Sequence, residues 1–170
     1  MNKEDNELNY IDITETILNK GKQEYQLKEQ PYFIDNDGNR YNVDGKYVVL
    51  NPTEREKVVA NMLGRIFGSQ VNIVLRINMP ERIKTPDYII NDERFDLKEI
   101  NGIGKNTLYD AIGKQRRQSS NFIFDISKTK MDKEEAIRQM KSIYQSRHRK
   151  WVNILILIKD DNILKAYKRD

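Results

Sequence analysis

A β-hairpin is predicted near the middle of the chain, in the stretch Thr85-Pro-Asp-Tyr-Ile-Ile-Asn-Asp-Glu-Arg-Phe-Asp-Leu-Lys98. Pro86 favours an extended start, and polar and apolar residues alternate on both sides of a short polar segment. A two-residue turn at Asp92-Glu93 would pair Ile90 with Phe95. Asp-Glu is a poorer turn pair than Asn-Gly, so a longer turn is the alternative. The pattern therefore predicts two antiparallel strands joined by a two-residue turn or by a longer one.

Strand parity brings three charged side chains of this hairpin together. Since alternate side chains of a strand share a face, Asp87, Asp96 and Lys98 are predicted on one face. The apolar side chains fall on the opposite face: Tyr88, Ile90, Phe95 and Leu97. A four-residue turn would preserve this arrangement, whereas a three-residue turn would destroy it.

Two carboxylates beside a lysine suit metal-dependent cleavage of a phosphodiester. Mg²⁺ and Mn²⁺ prefer oxygen ligands and are often held by two carboxylates plus water and substrate phosphate. Such an ion polarises the phosphoryl group and activates a bound water. Lys98 beside it would orient the water or neutralise developing charge. The alternative is an exposed hairpin face whose ordinary charges form an incidental salt bridge.

A helix is predicted directly ahead of this hairpin, starting in the segment Asn51-Pro-Thr-Glu-Arg-Glu56. Proline suits the first turn of a helix, and Thr53 with Glu56 has the spacing of a capping box. An apolar stripe follows at helical spacing, and Gly68 is expected to end the helix. The stripe consists of Val58, Val59, Met62, Leu63 and Ile66.

The remaining pattern predicts an α/β fold in which a mixed β-sheet is flanked by helices. Residues 1–50 are predicted to be an acidic N-terminal extension with a helix near 11–18 and one or two hairpins between 31 and 50, and residues 51–170 are predicted to form the main domain. In that domain we expect strands at 71–77, 121–126, 151–158 and 163–167, and helices at 107–118 and 132–147.

Charge is distributed unevenly along the chain. Residues 1–50 contain 6 Lys and Arg against 10 Asp and Glu, whereas residues 51–170 contain 24 against 16. The basic excess lies in the main domain, as expected for a nucleic-acid partner. The chain has no cysteine and no apolar run long enough to span a membrane, which excludes a disulfide framework and predicts a cytoplasmic site of action.

The hairpin resembles the PD-(D/E)XK nuclease signature, with Asp87 followed by Asp96-x-Lys98. Over roughly residues 51–158 the chain is similar to the C-terminal tRNA-nuclease domains of contact-dependent growth inhibition toxins, the CdiA C-terminal family. The matching words are Glu56-Lys-x-Val-Ala60, Thr85-Pro-Asp87, Phe95-Asp-Leu-Lys98, Gly104-Lys-Asn-Thr107, Gln115 or Gln118, and Asn121-x-Ile-x-Asp125.

This resemblance implies a restriction-endonuclease-like fold and a metal-dependent endonuclease that cuts RNA, specifically tRNA. It implies that Glu56, Asp87 and Asp96 hold Mg²⁺, with Mn²⁺ or Zn²⁺ as alternatives, while Lys98 assists the attacking water. The predicted substrate-binding residues are Lys105, Lys114, Gln115 and Arg117. An immunity or antitoxin protein is the implied partner, and a larger secreted toxin is the implied carrier.

Two departures affect the predicted ligands. Asp96 stands where many members of the family carry Glu. Glu54 competes with Glu56 for the helical ligand position, and a Glu56 engaged in a capping box would not also bind metal.

Two other functions are compatible with the residues. The first is a metal-free ribonuclease of the barnase or colicin type, in which Lys98, Glu56 and arginines transfer protons at a 2′-hydroxyl. The second is a non-catalytic nucleic-acid-binding module of a phage or mobile element. ATP binding is not expected, because Gly102-Ile-Gly-Lys-Asn-Thr107 lacks the Walker spacing.

Overall fold

A computed structural model describes residues 9–20, 24–43, 52–77, 80–113 and 118–170. The strands of the described residues are β1 (Tyr10–Asp12), β2 (Leu27–Gln30), β3 (Tyr32–Ile34), β4 (Arg40–Asn42), β5 (Val71–Val74), β6 (Tyr88–Ile90), β7 (Glu93–Glu99), β8 (Asn121–Asp125), β9 (Ile154–Lys159) and β10 (Asn162–Arg169). The helices are α1 (Thr14–Leu18), α2 (Glu54–Phe67), α3 (Thr107–Ile112) and α4 (Lys133–Gln145), followed by a 3₁₀ turn at Arg147–Arg149.

Eight of the described strands form one mixed sheet in the order β1-β10-β9-β8-β7-β6-β5-β2. The strands β7, β8 and β9 run parallel at its centre, and β2 runs parallel to β5 at one edge. The other neighbours are antiparallel, while β3 and β4 form a separate hairpin. The predicted mixed sheet is confirmed.

Helices cover both faces of this sheet. Successive residues of the central strand β8 point to opposite sides, so Phe122 and Phe124 enter one core while Ile123 enters the other. The first core is closed by α3 and α4, and the second is closed by α1 and α2. Because β8 and β9 are covered on both faces, their central residues, 122–124 and 154–158, are continuous apolar runs. No helix among the described residues has the length and apolarity to cross a membrane.

The described part of residues 1–50 supplies both edges of the main sheet. Strand β1 pairs with β10, and β2 pairs with β5. Tyr10 and Ile17 are buried in the two cores. The helix expected near 11–18 corresponds to α1, and the β3–β4 hairpin lies in the region expected to contain hairpins. The strand-like residues 47–50 lie outside the described part of the chain.

The predicted capping box starts α2. The Glu56 amide donates to Thr53 Oγ1 at 3.1 Å, and the Thr53 amide donates to Glu56 Oε2 at 3.0 Å. Both bonds satisfy amides that the first helical turn leaves without partners. At the other end, Gly68 adopts φ of 62° and closes the helix in the left-handed conformation. Sequence and structure agree at both ends of this helix.

The hairpin register differs from the predicted one. Tyr88 pairs with Phe95 and Ile90 with Glu93, so the turn is Asn91-Asp92 instead of Asp92-Glu93. Both turn residues have positive φ, 50° and 64°. A type I′ turn requires this conformation at both positions, and Asn and Asp tolerate it better than Glu does. The change moves the pairing by two residues, so the predicted face of each side chain is retained.

The helix expected at 107–118 is shorter in the structure. Its α-helical turns end at Ile112, and Gly113 caps it with φ of 60°. Residues 114–117 lie outside the described part of the chain. The other predicted elements of the main domain differ from the observed ones only near their ends, where helix and strand boundaries are least determined by pattern.

The observed turn predicts opposite effects for two glycine substitutions. Asp92→Gly should raise the free energy of unfolding by up to about 1 kcal/mol, because glycine accepts positive φ without strain. Glu93→Gly should lower it by roughly 0.5–1 kcal/mol, because Glu93 lies in a strand. Urea unfolding of both variants measures the difference. A stabilising Glu93→Gly would instead favour the turn at Asp92-Glu93.

Candidate active site

Two aspartates face each other across the β6–β7 ladder. Asp87 directly precedes β6, and its amide donates to the Phe95 carbonyl at 3.1 Å. This bond continues the register and places Asp87 opposite Asp96. The Leu97 amide donates to Asp87 Oδ2 at 2.7 Å, and the two aspartate carboxyl groups lie close enough to share a hydrogen bond when one of them is protonated. The carboxyl groups are therefore in direct contact.

Burial controls the protonation of this pair. Only 2% of Asp96 is exposed to solvent. Burial raises the pKa of Asp87 to about 8, and the neighbouring charge of Asp96, its hydrogen bond and the more distant charge of Glu56 act in the same direction. The Leu97 amide opposes the rise, since it stabilises the ionised carboxylate. Without a cation, the pair consequently keeps a proton near neutral pH.

Lys98 lies on the same face as the two aspartates, as strand parity predicts. Its Nζ is 2.5 Å from Asp96 Oδ2, and its side chain is 19% exposed. The lysine therefore reaches the carboxylate pair from the solvent side. A cation in this position balances part of the buried negative charge and remains near any anion that enters from solution.

The first turn of α2 is tied to the hairpin by a buried tyrosine. Tyr88 lies in the core, and its hydroxyl donates to the Glu56 carbonyl at 2.8 Å. This bond holds the start of α2 near Asp87, which explains why the charge of Glu56 affects the pKa of Asp87. Burial and the surrounding carboxylates raise the pKa of the Tyr88 hydroxyl, so it stays a hydrogen-bond donor.

The two competing helical glutamates have different surroundings. Glu56 Oε2 accepts the Thr53 amide of the capping box, and Glu56 Oε1 lies 3.4 Å from Arg76 Nη2. Glu54 is 91% exposed and pairs with Lys57 at 3.2 Å. Glu56 is thus the glutamate that faces the aspartate pair, although its carboxylate is engaged in the cap.

The residues that could hold a divalent cation at this site are the two aspartates. Two ionised carboxylates in contact repel each other, and a cation between them would remove that repulsion. Mg²⁺ commonly uses one or two carboxylates and completes its octahedron with water and phosphate oxygens. Within the described residues, no cluster of three or more carboxylate, histidine or cysteine groups is arranged to hold a metal. The donor set seen here is therefore two carboxylates, with Glu56 nearby.

A solvent-open cavity of about 380 Å³ borders Asp87, Asp96 and Lys98. Its wall includes Arg76 and Gln118. Gln118 Nε2 donates to the Thr85 carbonyl at 2.7 Å and lies 3.4 Å from Asp96 Oδ1. The family resemblance left Gln115 and Gln118 as alternatives, and only tertiary contact identifies Gln118 as a neighbour of Asp96. No sequence pattern indicated Arg76.

Among the predicted substrate-binding residues, Lys105 lies in the described part of the chain, and it does not line this cavity. Lys105 lines a separate shallow pocket with Asn106, Glu135 and Arg138, and its carbonyl accepts a hydrogen bond from Arg138 at 3.0 Å. Lys114, Gln115 and Arg117 lie outside the described residues. Their contact with substrate stays a prediction.

The raised pKa of Asp87 predicts a pH-dependent stability. Folded Asp87 holds its proton up to about pH 8, whereas the unfolded chain releases it near pH 4. The free energy of unfolding should therefore fall as pH rises between these values. Asp87→Asn keeps an oxygen for the Leu97 amide and removes the titration. Relative to wild type, its free energy of unfolding should therefore rise by on the order of a few kcal/mol between pH 5 and pH 8.

Urea unfolding of both proteins in EDTA at pH 5 and pH 8 measures this difference. The titrating groups that do not interact with Asp87 are shared by the two proteins and cancel in the comparison. An identical pH dependence for wild type and Asp87→Asn would show that Asp87 titrates normally.

Comparisons with known proteins single out the segment that carries this site. Residues 84–163 match the family model of the contact-dependent growth inhibition CdiA C-terminal domain. A CdiA-CT/CdiI toxin and immunity complex from Burkholderia pseudomallei is 17% identical in sequence, with a TM-score of 0.46, and the match covers 82% of this chain and 97% of that one. No curated protein matches the chain. The segment from Lys84 to Ile163, with Asp87, Asp96 and Lys98, is thus similar to the CdiA C-terminal toxin domain.

Proposed function

We propose that this protein is a toxin-type, metal-dependent endonuclease that hydrolyses phosphodiester bonds in RNA, with tRNA as the substrate. The observation that carries the proposal is the contact between Asp87 and Asp96, with Lys98 beside them, at a cavity open to solvent. The family match over residues 84–163 supports a toxin.

Each residue of the site has a role in this proposal. Asp87 and Asp96 would hold Mg²⁺ or Mn²⁺, with Glu56 contributing charge from the start of α2; Zn²⁺ is a further alternative. The bound ion would polarise the phosphoryl group and supply an activated water. Lys98 would bind a nonbridging phosphate oxygen or orient the water, and Gln118 would keep the Asp96 carboxylate in place.

The proposal extends to substrate and partners. The excess of basic residues in 51–170 suits a polyanion, and RNA rather than DNA follows from the resemblance to tRNA nucleases. A cell that makes such an enzyme must be protected from it, so the proposed partner is an immunity or antitoxin protein. The domain would be delivered by a larger secreted toxin and would act in the cytoplasm of the target cell.

A metal-free ribonuclease is the second candidate. It is favoured by the engagement of the Glu56 carboxylate in the capping box and by the donor set of only two carboxylates among the described residues. Lys98 and the arginine at position 76 would then interact with phosphate directly. This candidate requires no divalent cation for activity.

Cleavage assays separate these functions. Purified protein is incubated with total tRNA or plasmid DNA, in Mg²⁺ or in EDTA, beside Asp96→Asn. We expect cleavage of tRNA only with Mg²⁺, and a loss of at least about a hundredfold in Asp96→Asn, because a ligand of the ion is removed. Asp92→Asn, an exposed change in the same hairpin, is the matched control and should retain activity.

The other outcomes identify the alternatives. Full activity in EDTA would support the metal-free ribonuclease. Nucleic-acid binding without any cleavage would support a non-catalytic module and exclude both enzymes.

A second pair of variants tests the helical glutamate. Glu56→Gln keeps a side chain that can complete the capping box but removes its charge. If Glu56 supports metal binding, the Mg²⁺ concentration for half-maximal activity should rise about tenfold. Glu54→Gln removes the exposed glutamate two residues earlier and should leave this concentration unchanged. Equal values for wild type and Glu56→Gln would exclude Glu56 from the metal site.

A further inference from the structure

A second cavity adjoins the candidate active site. It has a volume of about 400 Å³ and shares Ile83 and Gln118 with the cavity at the aspartate pair. Gln118 therefore lies between the two spaces while contacting Asp96. A polymer with a phosphate at Asp96 therefore has space for an adjacent group in this second cavity.

The β3–β4 hairpin forms the aromatic wall of the second cavity. Phe33 and Tyr41 pair across this hairpin, so both rings lie on one face, and both line the cavity. The Arg94 guanidinium stacks on Phe33 with its carbon 4.9 Å from the ring centre, and its Nη2 donates to the Ile34 carbonyl at 3.1 Å. These contacts join the hairpin to β7, the strand that carries Asp96.

The segment between β5 and β6 contributes two more positively charged side chains to the second cavity. Arg82 and Lys84 line the second cavity on either side of Ile83, the shared wall residue. Arg82 adopts φ of 68°, a left-handed conformation that is uncommon outside glycine, asparagine and aspartate. The chain thus accepts a strained backbone at a residue that brings a guanidinium to this wall.

The acidic side chains that line the second cavity lie in the turn between β3 and β4. Asp35 and Asp37 also line it. The Asp35 carboxylate accepts the amides of Asp37 and Asn39, the Asn39 side chain and the Tyr41 hydroxyl, and these bonds lower its pKa. Asp35 is therefore occupied in holding the turn and the Tyr41 ring. Tyr41 is half-buried, so part of its surface stays accessible.

We propose that this second cavity binds the nucleotide next to the scissile phosphate. The base would stack on the accessible part of Tyr41 beside the Arg94 guanidinium, and Arg82 would contact the adjoining phosphate. Aromatic rings and arginine planes bind bases of any sequence, and neighbouring cations follow the backbone. The proposal rests on the proposed nuclease function, since the shared wall places this nucleotide beside the cleaved bond.

Binding in a non-cleaving background tests the cavity separately from catalysis. The probe is a fluorescein-labelled, eight-nucleotide single-stranded RNA, titrated in EDTA against Asp96→Asn protein and followed by anisotropy. Adding Tyr41→Ala should raise Kd about tenfold, because the stacking surface is lost. Tyr41→Phe keeps the ring and should retain most of the affinity.

Tyr32→Ala is the matched control for the aromatic ring. Tyr32 lies on the same hairpin, on the face opposite Phe33 and Tyr41, and carries the Arg40 guanidinium 4.1 Å from its ring centre. It should change Kd less than about twofold, as expected for an aromatic ring outside the stacking site. Equal losses of affinity in Tyr41→Ala and Tyr32→Ala would overturn the proposal.

Arg82→Gly supplies a test that does not depend on the Tyr41 variants. Glycine accepts the left-handed backbone, so the fold should be retained while the cation is lost. The slope of log affinity against log salt should become shallower by about 0.7, the value for one single-strand phosphate contact. Lys141→Ala, an exposed change on α4, should leave the slope unchanged, and an unchanged slope in Arg82→Gly would overturn the phosphate contact.

The cleavage assay keeps the two proposals distinguishable. Loss of affinity in Tyr41→Ala without any cleavage by wild type would support the cavity and contradict the nuclease. Mg²⁺-dependent cleavage by wild type with unchanged affinity in Tyr41→Ala would overturn the cavity and leave the nuclease in place.

Discussion

The contact between Asp87 and Asp96 depends on one strand register. The primed turn at Asn91-Asp92 sets that register, and the Asp87 amide extends it one residue beyond β6. A shift by one residue would send one carboxylate to the apolar face. The apolar face is buried, as the fully enclosed Tyr88 and the 1% exposure of Phe95 show, so such a shift would cost much of a core. The hydrophobic effect thereby positions charged groups that it would otherwise exclude.

Burial also accounts for the chemistry of the pair. Burial and the neighbouring carboxyl group raise the pKa of Asp87, so this side chain keeps its proton near neutral pH unless a cation is present. Lys98, on the same strand as Asp96, adds a positive charge to the site, and Glu56 at the start of α2 adds a negative charge. The hydroxyl of Tyr88 links these parts, because one buried side chain joins the hairpin to the start of the helix. Tyr88 therefore packs in the core and also holds the start of α2, with the charge of Glu56, near the aspartates.

Sequence patterns identified the elements whose causes are local. The capping box at Thr53 and Glu56 and the glycine that ends α2 depend only on neighbouring residues, and both are present. Strand parity placed Asp87, Asp96 and Lys98 on one face for any turn of two or four residues. The turn itself was misplaced by one residue, because alternation of polar and apolar residues does not distinguish turns that preserve parity. Only the positive φ preference of Asn and Asp separates them.

By itself, the sequence determined both ends of α2, the alternation of the hairpin and the apolar central strands, because these follow from hydrogen bonds and side-chain spacing within short segments. Tertiary structure alone decided that Tyr10–Asp12 and Leu27–Gln30 form opposite edges of one sheet. It also brought Gln118 to Asp96 and the β3–β4 hairpin to a neighbouring cavity. These contacts join residues far apart in the chain, and their free energy comes from burying surfaces that no local pattern specifies.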